Sequence, residues 1–150
     1  MTIYTALLVA SAVVVGLGGG VFYAFSTFVT AGLRELPPDA GATAMKAINR
    51  TAERPPLLVL LLSTVVLPAA AAAVGLSTAA EDRWIALTGA IIAVVPLVVT
   101  GVGNVPLNNR LDTSSDAGAQ WQRGVRPWLR WNHVRTAASA VACALLALAA

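Results

Sequence analysis

Apolar residues of this chain fall into four long blocks separated by short polar stretches. The first runs from Ile3 to Leu33 without a charge, and at ~1.5 Å per residue it makes about 46 Å of helix, more than the ~30 Å of a bilayer's hydrocarbon core. It must tilt, bend or project. Three further blocks predict helices over about 57–76, 84–103 and 128–150, each near the ~20 residues a crossing needs. The pattern therefore predicts an all-α fold: a single membrane domain with four transmembrane helices and a short interfacial helix between the first two.

Proline and small residues punctuate this pattern. Leu36-Pro37-Pro38 ends the first helix, because proline lacks an N–H and disfavours helical geometry in the residue before it. Asp39–Arg54 then has helical spacing, with Ala40, Met45, Ile48 and Ala52 as apolar contacts and Lys46, Arg50 and Arg54 outward; Asn49 either turns inward to a site or caps and meets water. Pro55-Pro56 opens the second apolar helix, where the unpaired first-turn N–H groups make proline harmless. Pro68 and Pro96 lie inside the second and third helices and predict kinks. Ala12, Gly16, Gly20 and Ala24 recur every four residues, a stripe that admits a neighbouring helix. Tyr23, Phe25, Ser26 and Phe28 follow it, either as an interfacial belt or as the wall of a pocket.

Composition agrees with the pattern: 57% of residues are hydrophobic and only 11% charged, too few to cover a soluble domain of 150 residues. The net charge of +3 comes from ten basic residues spread over connections among seven acids, so a nucleic-acid face is not expected. Their distribution sets orientation instead. Arg34, Lys46, Arg50 and Arg54 lie in one connection, Arg110, Arg123, Arg126, Arg130 and Arg135 flank another, and Arg83 stands alone in the third. By the positive-inside rule both longer connections are cytoplasmic and both termini outside, in a multi-pass protein of the cell membrane. No cationic residue precedes Arg34, so the first block reads as a retained helix rather than a signal peptide. The single cysteine, Cys143, is read as a small helix residue.

Polar chemistry gathers between Gly101 and Arg135. Asn104 and Asn108 are one turn apart and share a helix face, with Pro106 between them to loosen the backbone. Trp128, Asn132 and Arg135 lie at i, i+4 and i+7, and Trp131 is four before Arg135. Two readings are open. In one, the tryptophans anchor the interface, the arginines orient the chain and the asparagines cap helices. In the other, polar groups at membrane depth mark a site: Arg135 holds an oxyanion, Asn104, Asn108 and Asn132 orient it, and the indoles wall a planar ligand. A transporter is disfavoured because the central apolar blocks hold no ionisable residue. One histidine, scattered carboxylates and no paired cysteines predict no metal site, and Gly16–Gly20 lies in a helix rather than in a nucleotide-binding loop.

The GGVFYAFS of Gly19–Ser26, the Ile48-Asn49 pair, the NVPLN of Asn104–Asn108 and the WLRWNHVR of Trp128–Arg135 together resemble the anthrone oxygenase-like family of small integral membrane proteins. The resemblance implies the fold more strongly than the reaction. It implies a monooxygenase that oxidises a planar anthrone- or quinol-like molecule with O₂. A deprotonated phenolic ketone passes an electron to O₂ directly, so no cofactor is expected. His133 is then the base and Arg135 with Asn108 stabilises the enolate, while Asn104, Asn132, Trp131, Trp128, Tyr23, Phe25, Ser26 and Asn49 bind the substrate. His133 also reads simply as a water-facing residue at a helix start. The alternative function is a non-enzymatic small-molecule binder or an accessory subunit of a membrane complex. A homo-oligomer is open, since the stripe on the first helix serves contacts within or between chains.

Overall fold

The computed structural model describes residues 1–150 and contains five helices and no strand. They are α1 (Ile3–Glu35), α2 (Pro38–Ala52), α3 (Leu57–Ser77), α4 (Arg83–Thr113) and α5 (Ala117–Leu148). Local chemistry sets their ends. Thr2 accepts from the amide of Thr5 at 3.1 Å to start α1, and Leu36 goes extended before Pro37 to stop it. Asp116 accepts from the amide of Ala119 at 2.9 Å and caps α5. Pro68 and Pro96 stay inside continuous helices and are buried, where neighbouring helices cover the interrupted ladder.

Two helices exceed their expected bounds. α4 continues past residue 103 to Thr113, because Pro106 follows a widened turn and starts the next regular stretch where its missing N–H costs little. α5 begins at Ala117 rather than near Trp128. The polar stretch between the third and fourth expected helices hides an inward stripe, Gly118, Trp121, Val125 and Trp128, all buried at helical spacing. That stripe packs with Ala42 and Met45 of α2 and Leu111 of α4 into one of the two apolar cores. α2 turns Gly41, Ala42 and Met45 inward, while Ala40, expected among its contacts, is exposed.

α1, α3, α4 and α5 pack side by side in a ring in which α5 returns to α1, and α2 lies across one end against α5 and the last turns of α4. The second core lies at the opposite end and joins Leu8 and Val15 of α1, Ala71 of α3, Ala86 and Ala93 of α4 and Leu146 of α5. Both termini are therefore at the end away from α2. Close approach of α1 depends on glycine, and the contact keeps Ala12 and Gly16 of the expected stripe but not Gly20. A Cβ on Gly19 would meet Ser139 Cβ at 2.8 Å and one on Gly16 would touch Cys143 Sγ at 3.4 Å, whereas Gly20 faces open space. The α1–α5 contact follows Ala12, Gly16 and Gly19, and Cys143 ties it by donating to the carbonyl of Ala12 at 3.3 Å.

Large apolar side chains such as Val13, Leu17, Val59, Val66, Ile91 and Val98 point away from the ring and are exposed. A water-soluble protein rarely carries so continuous an apolar exterior. α1, α3 and α4 are long and apolar enough to cross a membrane, which is what a membrane protein requires. α5 is not one of these, since Asn132, His133 and Arg135 interrupt its hydropathy and only Thr136–Ala150 follow.

Candidate functional site

Two π turns lie where polar residues enter the ring, Phe25–Val29 in α1 and Thr100–Asn104 in α4. Such widened turns recur at functional sites because they re-aim side chains and free backbone carbonyls. In α4 the cause is legible. Pro106 has no N–H to give, the ladder slips by one, and the amide of Val105 reaches back to the carbonyl of Thr100. The slip leaves Thr100 and Asn104 facing α5, with the hydroxyl of Thr100 donating to Pro96 O at 2.7 Å.

Asn132 joins α5 to α1. Its Nδ2 donates to the carbonyl of Phe22 at 2.7 Å and to Ser26 Oγ at 2.8 Å, and its Oδ1 accepts from Arg135 Nη2 at 2.6 Å. Thr136 spends its hydroxyl proton on Asn132 O at 3.0 Å, so Ser26 is the donor in the 2.9 Å Ser26–Thr136 contact. Arg135 is 6% exposed. Its Nη1 donates to Thr100 Oγ1 at 3.1 Å, and its Cζ lies 4.4 Å from the Phe22 ring centroid and 5.4 Å from that of Trp128. Every hydrogen-bond partner of this buried cation is neutral. Aromatic faces offset part of the desolvation, which otherwise costs several kcal/mol for an unpaired ion.

Trp128 is held twice by α4. Asn104 Nδ2 donates to its carbonyl at 3.2 Å, and its indole Nε1 donates to Asn108 Oδ1 at 2.9 Å. Its ring tilts 55° against Phe25, with centroids 5.7 Å apart. The shared face of Asn104 and Asn108 is thus used to fix the indole in one orientation.

These residues border a cavity of about 420 Å³ reached by all five helices. Phe22, Phe25 and Trp128 supply aromatic wall, Leu57, Leu58 and Leu61 of α3 an aliphatic one, and Asn49, Asn104, Asn108, Thr100 and Arg135 the polar groups. Three of the polar residues carry a buried atom without a partner: Asn49 Nδ2, Asn104 Oδ1 and Arg135 Nε. Buried polar atoms are normally satisfied. Two donors and an acceptor are thus left without partners on residues that line one cavity. Glu53, at the C-terminus of α2, is the one carboxylate in the lining.

Of the residues expected at a site, Asn49, Phe25, Asn104, Asn108, Trp128 and Arg135 line the cavity, and Ser26 and Asn132 stand behind it as the support of Arg135. Tyr23, Trp131 and His133 do not line it. Tyr23 is 59% exposed, and Trp131 is 41% exposed on the outer side of α5, with its indole seated on Gly103. His133 is exposed as well: it follows Asn132 by ~100° of helical rotation and precedes Arg135 by ~200°, which carries it off their face. Glu53, Phe22 and Thr100 belong to the arrangement without having been singled out. Thr100, four residues before Asn104, shares the helix face that the asparagine pair already marked, and Phe22 sits inside the GGVFYAFS motif.

No curated protein and no solved structure matches the chain. The family model described as Anthrone oxygenase matches residues 40–145, from α2 to the last turns of α5. That span includes every cavity residue outside α1 and most of the chain, and on it the protein belongs to the anthrone oxygenase family.

Proposed function

We propose that the protein is a membrane oxygenase that takes a planar anthrone- or quinol-like phenolic ketone into the cavity and oxidises it with O₂ without a cofactor of its own. The observation that carries this reading is Arg135, a buried cation with only neutral partners and an unpartnered Nε at the wall of an aromatic cavity. A cavity of 420 Å³ lies within the ~300–1,000 Å³ of small-molecule sites and accommodates three fused rings.

The cavity residues divide the chemistry between them. The substrate oxygen meets Arg135 and Asn49, whose free N–H groups stabilise it as negative charge develops, and a neighbouring phenol O–H donates to Asn104 Oδ1. Glu53, the one carboxylate in the lining, takes the proton from the ring carbon, the role first given to His133. The resulting enolate gives one electron to O₂, the carbon radical and superoxide combine, and the protonated hydroperoxide loses water across its C–H and O–O bonds. The sum is anthrone plus O₂ to anthraquinone plus water. Phe25 and Trp128 hold the ring plane.

The same reading places α5 as a fourth crossing, with the α2 end in the cytoplasm and both termini outside. A lipid bilayer delivers the apolar substrate between α1 and α3, where Val21, Leu58 and Leu61 line the cavity. Protein in nanodiscs should consume O₂ with an anthrone well above the enzyme-free autoxidation rate and release one quinone per O₂. Arg135→Ala should return the rate to background; unchanged turnover in that variant ends the proposal, and tight anthrone binding without turnover assigns the chain to the binder or accessory-subunit class.

A further inference from the structure

A second cavity, of about 390 Å³, lies outside this site, between the last turn of α1, the start of α2 and the first half of α5. It is lined by Arg34, Leu36, Pro38, Trp121, Gln122, Val125 and Arg126, so two arginines border it and no acidic residue does. We infer that it is a binding site for a phosphate-bearing anion, with an anionic phospholipid headgroup as the ligand its position favours.

The walls are built rather than accidental. α2 approaches so closely that a Cβ on Gly41 would stand 2.8 Å from both Leu33 O and Trp121 Nε1, which fixes the floor. Of the two acids nearest in sequence, Asp39 lies against Gly118 of α5 and Glu35, between Arg34 and Leu36, is exposed; both are outside the lining. Arg34 and Arg126 are both exposed, so neither is committed to the core, and guanidinium forks bind phosphate oxygens in two-point geometry. Gln122 adds an amide for headgroup hydroxyls.

Depth favours a lipid. Arg126 precedes Arg135 by about 13 Å of helix rise toward the α2 end. That sets the pair in the polar layer beyond the hydrocarbon, while Leu36, Pro38 and Val125 offer the apolar border that an acyl chain follows. The inference rests on the membrane placement proposed above and not on the oxygenase chemistry.

The test is lipid titration of the full chain in detergent, read by native mass spectrometry. Phosphatidylglycerol should bind one per chain and more tightly than phosphatidylcholine. The Arg34→Gln/Arg126→Gln variant should bind it about 30-fold more weakly. A charge-matched Arg50→Gln/Arg110→Gln variant should stay within about twofold, because those residues lie outside the lining. Glycerol phosphate that displaces the lipid from the wild type shows that free phosphates are also taken by the same arginines; failure to compete assigns the site to lipid alone. Equal weakening in both double variants, or equal affinity for the two lipids, overturns the inference. Cysteine labelling of the connections tests the membrane placement separately.

Discussion

Arg135 donates Nη2 to Asn132 Oδ1 at 2.6 Å, one turn back along α5, and Asn132 has already given both of its amide hydrogens to α1. One end of the guanidinium is therefore tied to α1 through an amide that cannot flip without losing both of those bonds, while Thr100 of α4 holds the other. Asn132→Asp keeps an acceptor for Arg135 but removes the donors to Phe22 and Ser26, and it adds a carboxylate beside the cation. The neutralised guanidinium should bind an anionic anthrone analogue at least about tenfold more weakly, by one charge-assisted contact, as titration calorimetry would show. Asn132→Ala leaves the Phe22 carbonyl and Arg135 without this partner and should cost about 2–4 kcal/mol in denaturant unfolding.

Arg135→Met separates function from stability. It removes a buried charge whose partners are all neutral and replaces it with a side chain of similar length, so the desolvation cost disappears as the hydrogen bonds do. Its Tm should lie closer to the wild type than that of Asn132→Ala. Oxygen consumption should nevertheless fall about 10²–10³-fold, the usual effect of losing an oxyanion donor. Arg135→Lys keeps the charge but not the fork, and it should restore only part of that loss.

Glu53→Gln isolates the proton-transfer step. The amide preserves the shape of the exposed side chain but does not take a proton, so analogue binding should persist while turnover drops about 10²–10⁴-fold. His133→Gln should leave turnover within about twofold, since the imidazole is exposed and off the cavity face; a collapse of activity in that variant returns the base to His133.

Which features were legible in the chain depends on whether the signal was periodic. Asn104 and Asn108, and likewise Asn132 and Arg135, sit at helical spacing where apolar blocks give way to polar residues, so their shared faces could be read without coordinates. Contacts that depend on a third element could not. Glu53 reaches the cavity only because α2 folds over the end of the ring, and the first half of α5 is helical because Trp121 and Val125 find Ala42 and Met45 there. The π turns share this origin: Pro106 announces a disturbed ladder, but whether it kinks, breaks or widens is settled by packing against α5. Gly19 replaces Gly20 on the α1–α5 seam because helices meet along a stripe set by their crossing, not by a strict four-residue repeat.

Two glycine substitutions measure that packing. A Cβ on Gly103 would stand 2.6 Å from Trp131 Cγ, so Gly103→Ala must push the indole off α4; because that indole is partly exposed it can move, and the cost should be about 1–3 kcal/mol. Gly20→Ala meets nothing within 4 Å and should leave unfolding unchanged within about 0.5 kcal/mol. The shift should also red-shift tryptophan emission in Gly103→Ala alone.

Orientation in the membrane decides how substrate and protons reach the site. Ser115 lies in the α4–α5 connection beside the α2 end, and Ser77 lies at the end of α3 on the side of the termini; both are exposed. With Cys143 replaced by Ala, Ser115→Cys in intact cells should resist a membrane-impermeant maleimide until the membrane is opened, and Ser77→Cys should react at once. The four connection-side cations of α1–α3 and the arginines at the start of α5 lie at the Ser115 end, whereas Arg83 is alone at the other. If both positions label from outside, α4 does not cross, and Glu53 opens to a different compartment from the one proposed. Labelling of Ser77→Cys alone keeps Glu53 at the cytoplasmic boundary, where it exchanges protons with bulk water between taking one from carbon and returning one to the peroxide, while the apolar substrate arrives through the bilayer.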